Sequence, residues 1–257
     1  IMINCNEKFS NVAVIIHSHN LATLKEVMKY VDNLTPPFDV YLNFSEILKE
    51  NEVLIRDYKK KIEEEYPLVT FYYTTSSNRG TDSGGFFSST KKAFSCGKKG
   101  YYDYVCKLHT KSGGEQLVGW GCSREEWKVG MLRALLKDKS HIKKIFNIFS
   151  QYSNVGCITS AKFYCDDFIP HKNLKNYTFL ADKLALNEEA RWPKNEKFAA
   201  GTMFWIRGDV WDYYMDKDIT INDFEIGFSN DGLRTHAMER IYDAVVRNLG
   251  YGVWLHD

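Results

Sequence analysis

The chain has 257 residues, of which 44% are hydrophobic and 26% charged, and a formal net charge of +1. Such values suit one globular domain, or one with a small helical appendage, and exclude a general nucleic-acid binder, which carries a marked basic excess. No apolar run approaches the roughly 18 residues needed to span a bilayer.

Ile1 to Asn11 is mixed and polar, without the pattern of a signal peptide. Cys5, Cys96, Cys106, Cys122, Cys157 and Cys165 include no C-x-x-C pair. They read as reduced thiols of a cytosolic protein, not as a zinc site or a disulfide framework. The aromatic content of 15% is assigned first to the core.

In chain order, Asn11 to His17 is a continuous apolar run, the pattern of a central strand buried on both faces. Leu21 to Leu34 has helical spacing and is ended by Pro36-Pro37. Phe38 to Phe44 predicts a second strand, Ser45 to Tyr66 a charged helix and Leu68 to Thr74 a third strand. This alternation predicts a parallel sheet with right-handed crossovers. Asn78 to Gly85 is a turn-rich loop leading into a helix over Phe86 to Phe94. Its glycines permit close backbone approach to a ligand. Asp82 either accepts from a sugar or ribose hydroxyl or caps that helix.

Tyr102 to Leu108 predicts a buried strand. Lys107, His109 and Lys111 alternate where it ends, so they share one face. Helices are expected over Ser123 to Leu136 and Ser140 to Tyr152, and a strand over Val155 to Ser160. An irregular excursion follows from Ala161 to Lys197, with one helix over Asn173 to Leu186. Ala199 to Arg207 predicts a strand, Asp209 to Met215 a short helix, and Asp231 to Leu249 a strong amphipathic helix capped by Asn230 or Asp231. Tyr251 to Leu255 is strand-like. The chain has no methionine at position 1 and stops at Asp257, and it is expected to be an excised domain of a longer protein.

Ligands of α/β sheets bind outside the carboxyl ends of the strands. A cradle for a nucleoside diphosphate is therefore expected from His17, Ser18 and His19, from Asn78, Arg79 and Asp82, and from Lys107, His109 and Lys111. Fixed cations stabilise the charge of a leaving diphosphate. Many sugar transferases hold a divalent metal there with an Asp-x-Asp pair; this chain reads Lys-x-His-x-Lys, and no metal or other cofactor is expected. Asp166-Asp167 or Asp82 is the alternative metal site. Asp231 is the expected general base, with Glu239 in reserve; His236 and Glu239 lie three apart, on one helical face. Asp231 as a plain cap and Glu239 as an ion-pair partner are the competing assignments. Gly201, Thr202 and Trp205 are expected to line an acceptor pocket, Gly201 leaving room for a sugar. Phe204 and Trp205 point to opposite faces, so at most one of them can line it.

Four blocks, Asn78-Arg79-Gly80-x-Asp82, Tyr102 to Lys111, Ala200 to Trp205, and Asp231-Gly232 through Glu239-Arg240, resemble the rhamnan-synthesis F family of bacterial cell-wall and O-antigen polysaccharide assembly. Ser83-Gly84-Gly85 departs from the proline expected in that loop. The resemblance implies a GT-A-like, Rossmann-type α/β fold, with a central mixed, mostly parallel sheet flanked by helices. It implies a single glycosyltransferase domain over residues 1–257, with a nucleotide-sugar half (1–115) and an acceptor half (116–257). Its partners would be a nucleotide-sugar donor, a lipid-linked or glycan acceptor and other domains of the same polypeptide, at the cytoplasmic face of the cell membrane, with no nucleic acid. The activity expected is inverting, metal-independent transfer of rhamnose, galactose or another hexose to a surface polysaccharide. The alternative is a non-catalytic glycan- or nucleotide-binding module.

Overall fold

The strand that anchors the sheet is Val12–Ser18 (β1), every residue of which is buried. The computed structural model describes residues 10–118, 121–166, 173–192, 197–227 and 232–257. After β1, the side chain of Asn20 accepts the Thr23 N–H at 2.9 Å and starts α1 (Leu21–Val31). Its apolar stripe of Leu24, Val27, Met28 and Val31 is buried. Then come β2 (Phe38–Ser45), α2 (Glu52–Glu65), β3 (Val69–Ser76), α3 (Thr81–Ser95) and β4 (Tyr104–His109).

The second half runs through α4 (Arg124–Leu136), α5 (Lys139–Gln151), β5 (Val155–Ser160), β6 (Tyr164–Cys165), α6 (Leu174–Lys183) and α7 (Glu188–Arg191). It continues with β7 (Phe198–Ala199), β8 (Phe204–Arg207), α8 (Gly208–Met215), α9 (Arg234–Asn248) and β9 (Gly252–His256). Seven strands form one sheet in the order β3-β2-β1-β4-β8-β5-β9, and β6 pairs with β7 apart from it. All pairings in the large sheet are parallel except those of β8, which runs antiparallel to both β4 and β5. The fold is Rossmann-like α/β, with the mixed, mostly parallel sheet expected. Its β4–β8 pairing joins the two halves of the chain.

Alternation along the strands sorts the side chains into two layers. Ala13, Ile15, Val105, Phe204 and Ile206 face α3, α8 and α9. Val14, Ile16, Cys106, Leu108 and Trp205 face α1, α4 and α5. The helix α3 lies very close to the sheet. A Cβ on Gly85 would come within 2.3 Å of His17 Nδ1 and 2.8 Å of Asn43 Oδ1, so only hydrogen fits there.

Several boundaries depart from the sequence reading. The charged helix expected from Ser45 opens as a 3-10 segment, Glu46–Asn51, before α2. The strand expected over Ala199 to Arg207 is broken by a turn in which Gly201 and Thr202 adopt φ of +86° and +54°. The helix α3 begins at Thr81 behind a left-handed Gly80, so Asp82 lies in its first turn and is not its cap. The helix α9 begins at Arg234 with Leu233 as its N-cap residue; Asn230 and Asp231, the expected caps, lie outside the described residues. Among the described residues, no helix is long and apolar enough to cross a membrane, and the five cysteines are free.

Candidate active site

At the carboxyl edge of the parallel strands a polar row crosses the sheet in register: Thr74 on β3, Asn43 on β2, His17 on β1 and His109 on β4. Asn43 donates to Thr74 Oγ1 at 2.8 Å and accepts from Ser76 Oγ at 2.8 Å and from His17 Nδ1–H at 2.7 Å. Burial depresses the His17 imidazole to about 4, so this histidine is neutral. His19 is depressed by burial too, and its Nδ1 shares a hydrogen bond with the Thr110 hydroxyl at 2.9 Å.

Lys107 lies one pleat below His109 on the same face, and it is 1% exposed. Its ammonium donates to Asp82 Oδ2 at 2.6 Å, Thr202 O at 2.8 Å and Thr202 Oγ1 at 3.0 Å. An ammonium has three N–H bonds, and here each has an acceptor. The Tyr242 ring lies 5.1 Å from the same nitrogen. Burial by itself would raise the Asp82 carboxyl; the charge of Lys107 beside it, helped by its hydrogen bonds, holds it well below the usual carboxylate range. Asp82 also accepts from the hydroxyls of Thr202 and Thr81. Thr81 and Thr202 both have positive φ, 49° and 54°. That conformation is costly for a β-branched residue and persists where its surroundings over-determine it.

The Gly201–Thr202 turn is held from four directions. Gly201 N–H donates to Glu239 Oε1 at 2.6 Å, and Gly201 O accepts from His109 Nε2–H at 2.8 Å. Thr202 O accepts from Lys107, and the Thr202 hydroxyl donates to Asp82. His109 is depressed to about 4 by burial and is neutral. Burial raises the Glu239 carboxyl, against the opposing pull of the Gly201 N–H and Arg240. Lys111 carries its ammonium 3.3 Å from the centroid of Trp127. Burial lowers it to about 8, while Glu239 and Asp82 act the other way.

His17, Asp82, Lys107, His109, Lys111, Gly201, Thr202 and Glu239 therefore converge, but not as an open cationic cradle. The two histidines are neutral and Lys107 is consumed by its acceptors. Lys111 is the cation of the triplet with no ion pair among the described residues. Ser18 points to the opposite face of β1, where its hydroxyl donates to Asn20 O at 3.4 Å. Asn78 and Arg79 brace a neighbouring segment: Asn78 O accepts from Gly227 N–H at 2.7 Å, and Arg79 Nη1 donates to Phe224 O at 2.9 Å.

The acceptor-side residues are also taken up internally. Trp205 is 0% exposed and donates its indole N–H to Leu135 O at 3.1 Å, in the core layer away from the site. The space over Gly201 is filled, because a Cβ there would lie 2.7 Å from Met131 Sδ. His236 Nδ1 accepts from Leu233 N–H at 3.2 Å and secures the start of α9. Asp166 forms an exposed pair with Lys197 at 2.9 Å. Asp231 and Asp167 lie outside the described residues.

Sequence reasoning missed Asn43, Thr110, Trp127 and Tyr242. For Tyr242 a signal existed, since it follows Glu239 by three positions on one helical face. For Trp127 nothing in the local pattern distinguished a site residue from core.

Residues 2–251 match the family model of rhamnan synthesis protein F. The chain belongs to this family. No curated protein matches it. Membership assigns this rhamnan synthesis F chain a role in polysaccharide synthesis related to glycosyl transfer, and the polar cluster at the strand ends lies where such a fold binds its ligands.

Proposed function

We propose that this chain is an inverting, metal-independent glycosyltransferase domain, moving a sugar from a nucleotide-sugar donor to a growing bacterial surface polysaccharide at the cytoplasmic membrane face. The observation that carries the reading is Glu239. One carboxylate oxygen is fixed by the Gly201 N–H at 2.6 Å, and burial raises the basicity of the group. A positioned carboxylate of raised pKa is suited to take a proton from an acceptor hydroxyl as the anomeric carbon is attacked. We assign the base to Glu239, with Asp231 as the competing carboxylate.

Lys111 is assigned to the departing diphosphate, where a cation stabilises the developing charge. Lys107 and Asp82 are positioning residues, holding the turn that orients Glu239. Metal independence is supported by the engagement of Asp82 with Lys107 and Thr202.

The test is incubation of the protein with a panel of nucleotide sugars and a glycan acceptor, with and without chelator, and the anomeric configuration of the product read by NMR. Turnover in chelator with inversion is the expected result. Loss of turnover in chelator overturns metal independence. Donor binding without turnover in either condition supports the non-catalytic module instead.

A further inference from the structure

At the sheet edge opposite the candidate site, the amino ends of β2 and β3 meet the carboxyl ends of α1 and α2. A cavity of about 180 Å³ lies between them, walled by Val31, Leu34, Phe38, Leu68 and Val69. Small-molecule sites run to about 300–1,000 Å³, so a nucleotide sugar does not fit. An apolar cavity of about 150 Å³ admits benzene, and this one can seat one large apolar side chain. Leu68 lines it while 67% exposed. The charged lining residues, Asp32 and Glu65, are both acidic. Among the described residues neither is in an ion pair, and Asp32 accepts the Tyr66 hydroxyl. The helix α2 ends on Glu63, Glu64 and Glu65, with no basic residue in its last turn. A helix C-terminus carries partial negative charge and favours cations, so this ending is unfavourable by itself. The end of α1 adds potential of the same sign, offset in part by Lys29. Beside the cavity, β3 is the outermost strand of the sheet, and its outer edge pairs with no described strand. Such an edge accepts extended polypeptide.

We propose that this cavity is the docking site for a polypeptide segment that inserts one leucine- or phenylalanine-sized side chain and flanks it with lysine or arginine. The anchor takes the apolar wall out of water. The flanking cations meet Asp32, Glu65 and the two helix ends, supplying the charge that the last turn of α2 lacks. The same acidic rim repels an acidic segment, so charge gives the site its selectivity. The cavity lies at the edge of the sheet away from His17 and His109, and its role is assembly with a partner. It does not rest on the glycosyltransferase reading.

The probe is a fluorescently labelled heptapeptide in which lysine alternates with leucine and phenylalanine, titrated by anisotropy. Two controls replace its lysines by glutamate, or its apolar residues by serine. The lysine peptide is expected to bind, and each control to bind about tenfold or more weakly. Methyl NMR should place its contacts at Val31, Leu34, Leu68 and Val69. Glu65→Lys should weaken the peptide about tenfold while the melting temperature holds or rises, because a cation then ends α2. Val69→Phe, which fills the cavity, should also abolish binding. Glu65 is exposed, so its variant tests the site even where Val69→Phe fails to fold. No binding of the lysine peptide at millimolar concentration overturns the proposal. So does an affinity unchanged by Glu65→Lys, or methyl shifts confined to other parts of the chain. Phenethylammonium binding as tightly as the peptide would make this a free-amine site and overturn the polypeptide. Dimerisation through the same methyls in sedimentation without peptide would give the face to a second copy, with the same consequence.

Discussion

Lys107 and Asp82, 25 residues apart in the chain, form a 2.6 Å ion pair in which Thr202 takes up the remaining ammonium protons. The pair ties the first turn of α3 and the end of β4 to the turn before β8. Each ammonium proton of Lys107 is engaged within the protein, so the pair braces these segments against one another. Removing one partner of a buried pair leaves an uncompensated charge, at a cost of about 3–5 kcal/mol. Asp82→Asn and Lys107→Met are each expected to destabilise the protein by an amount of that order in urea denaturation. The double variant should lose less than the sum. Strict additivity would show that the two side chains are not coupled.

Glu239→Gln is expected to lower the transfer rate on the order of 10²- to 10⁴-fold, the usual worth of a general base, with donor affinity little changed. The comparison is Asp231→Asn, assayed side by side. A larger loss in Asp231→Asn with near-normal Glu239→Gln would move the base to Asp231.

The pH profile follows from two groups. Glu239 acts as a base only when ionised, and burial raises its pKa, so activity rises with pH through a value above the ordinary carboxylate range. Lys111 serves as a cation only when protonated, and burial lowers it to about 8, so activity falls above that pH. A bell-shaped kcat/KM is expected. Lys111→Arg should abolish the alkaline limb, since a guanidinium stays charged; an unmoved limb would assign it to another group.

Asp243 is fully buried on α9, and burial raises its carboxyl to about 6 against the opposing influences of Arg247, Tyr164 and the Ala199 N–H. The folded-state pKa lies above the ordinary value of 3.8, so the folded protein favours the protonated form. This group costs nothing below the unfolded pKa, and its penalty grows until the pH passes about 6. The full penalty is about 3 kcal/mol. Asp243→Asn is expected to be more stable than the parent by an amount of this order at pH 7–8, with the gain vanishing near pH 4, as measured by urea denaturation across that range.

Gly85→Ala would place a Cβ 2.3 Å from His17 Nδ1. Relief requires α3 to lift from the sheet, and overpacking of this kind costs about 1–3 kcal/mol. A fall in stability with a weakened diphosphate affinity is expected. An unperturbed melting curve would mean that the helix is not seated on His17 as described.

The order of strands and helices up to β4 was legible from residue pattern, because a doubly buried strand such as Val12–Ser18 needs an unbroken apolar run. Amphipathic helices such as α1 carry a stripe of fixed spacing. The alternation of Lys107 with His109 was equally legible, since the pleat repeats every two residues. Four blocks of local sequence sufficed for the family, and they bring most of the candidate site with them.

What only the tertiary structure decided was the environment of that face. Alternation says which side chains agree in direction, not whether water or another element meets them. The seating of α3 at Gly85 and the packing of α9 bury Lys107, which the strand pattern alone placed only on the same face as His109. The antiparallel insertion of β8 between β4 and β5 sent Trp205 to the opposite core layer. It also brought Gly201 against Trp127, a residue whose own sequence neighbourhood reads as plain helix. These are contacts between segments far apart in the chain, and they are set by which surfaces bury each other, a quantity that no local spacing encodes.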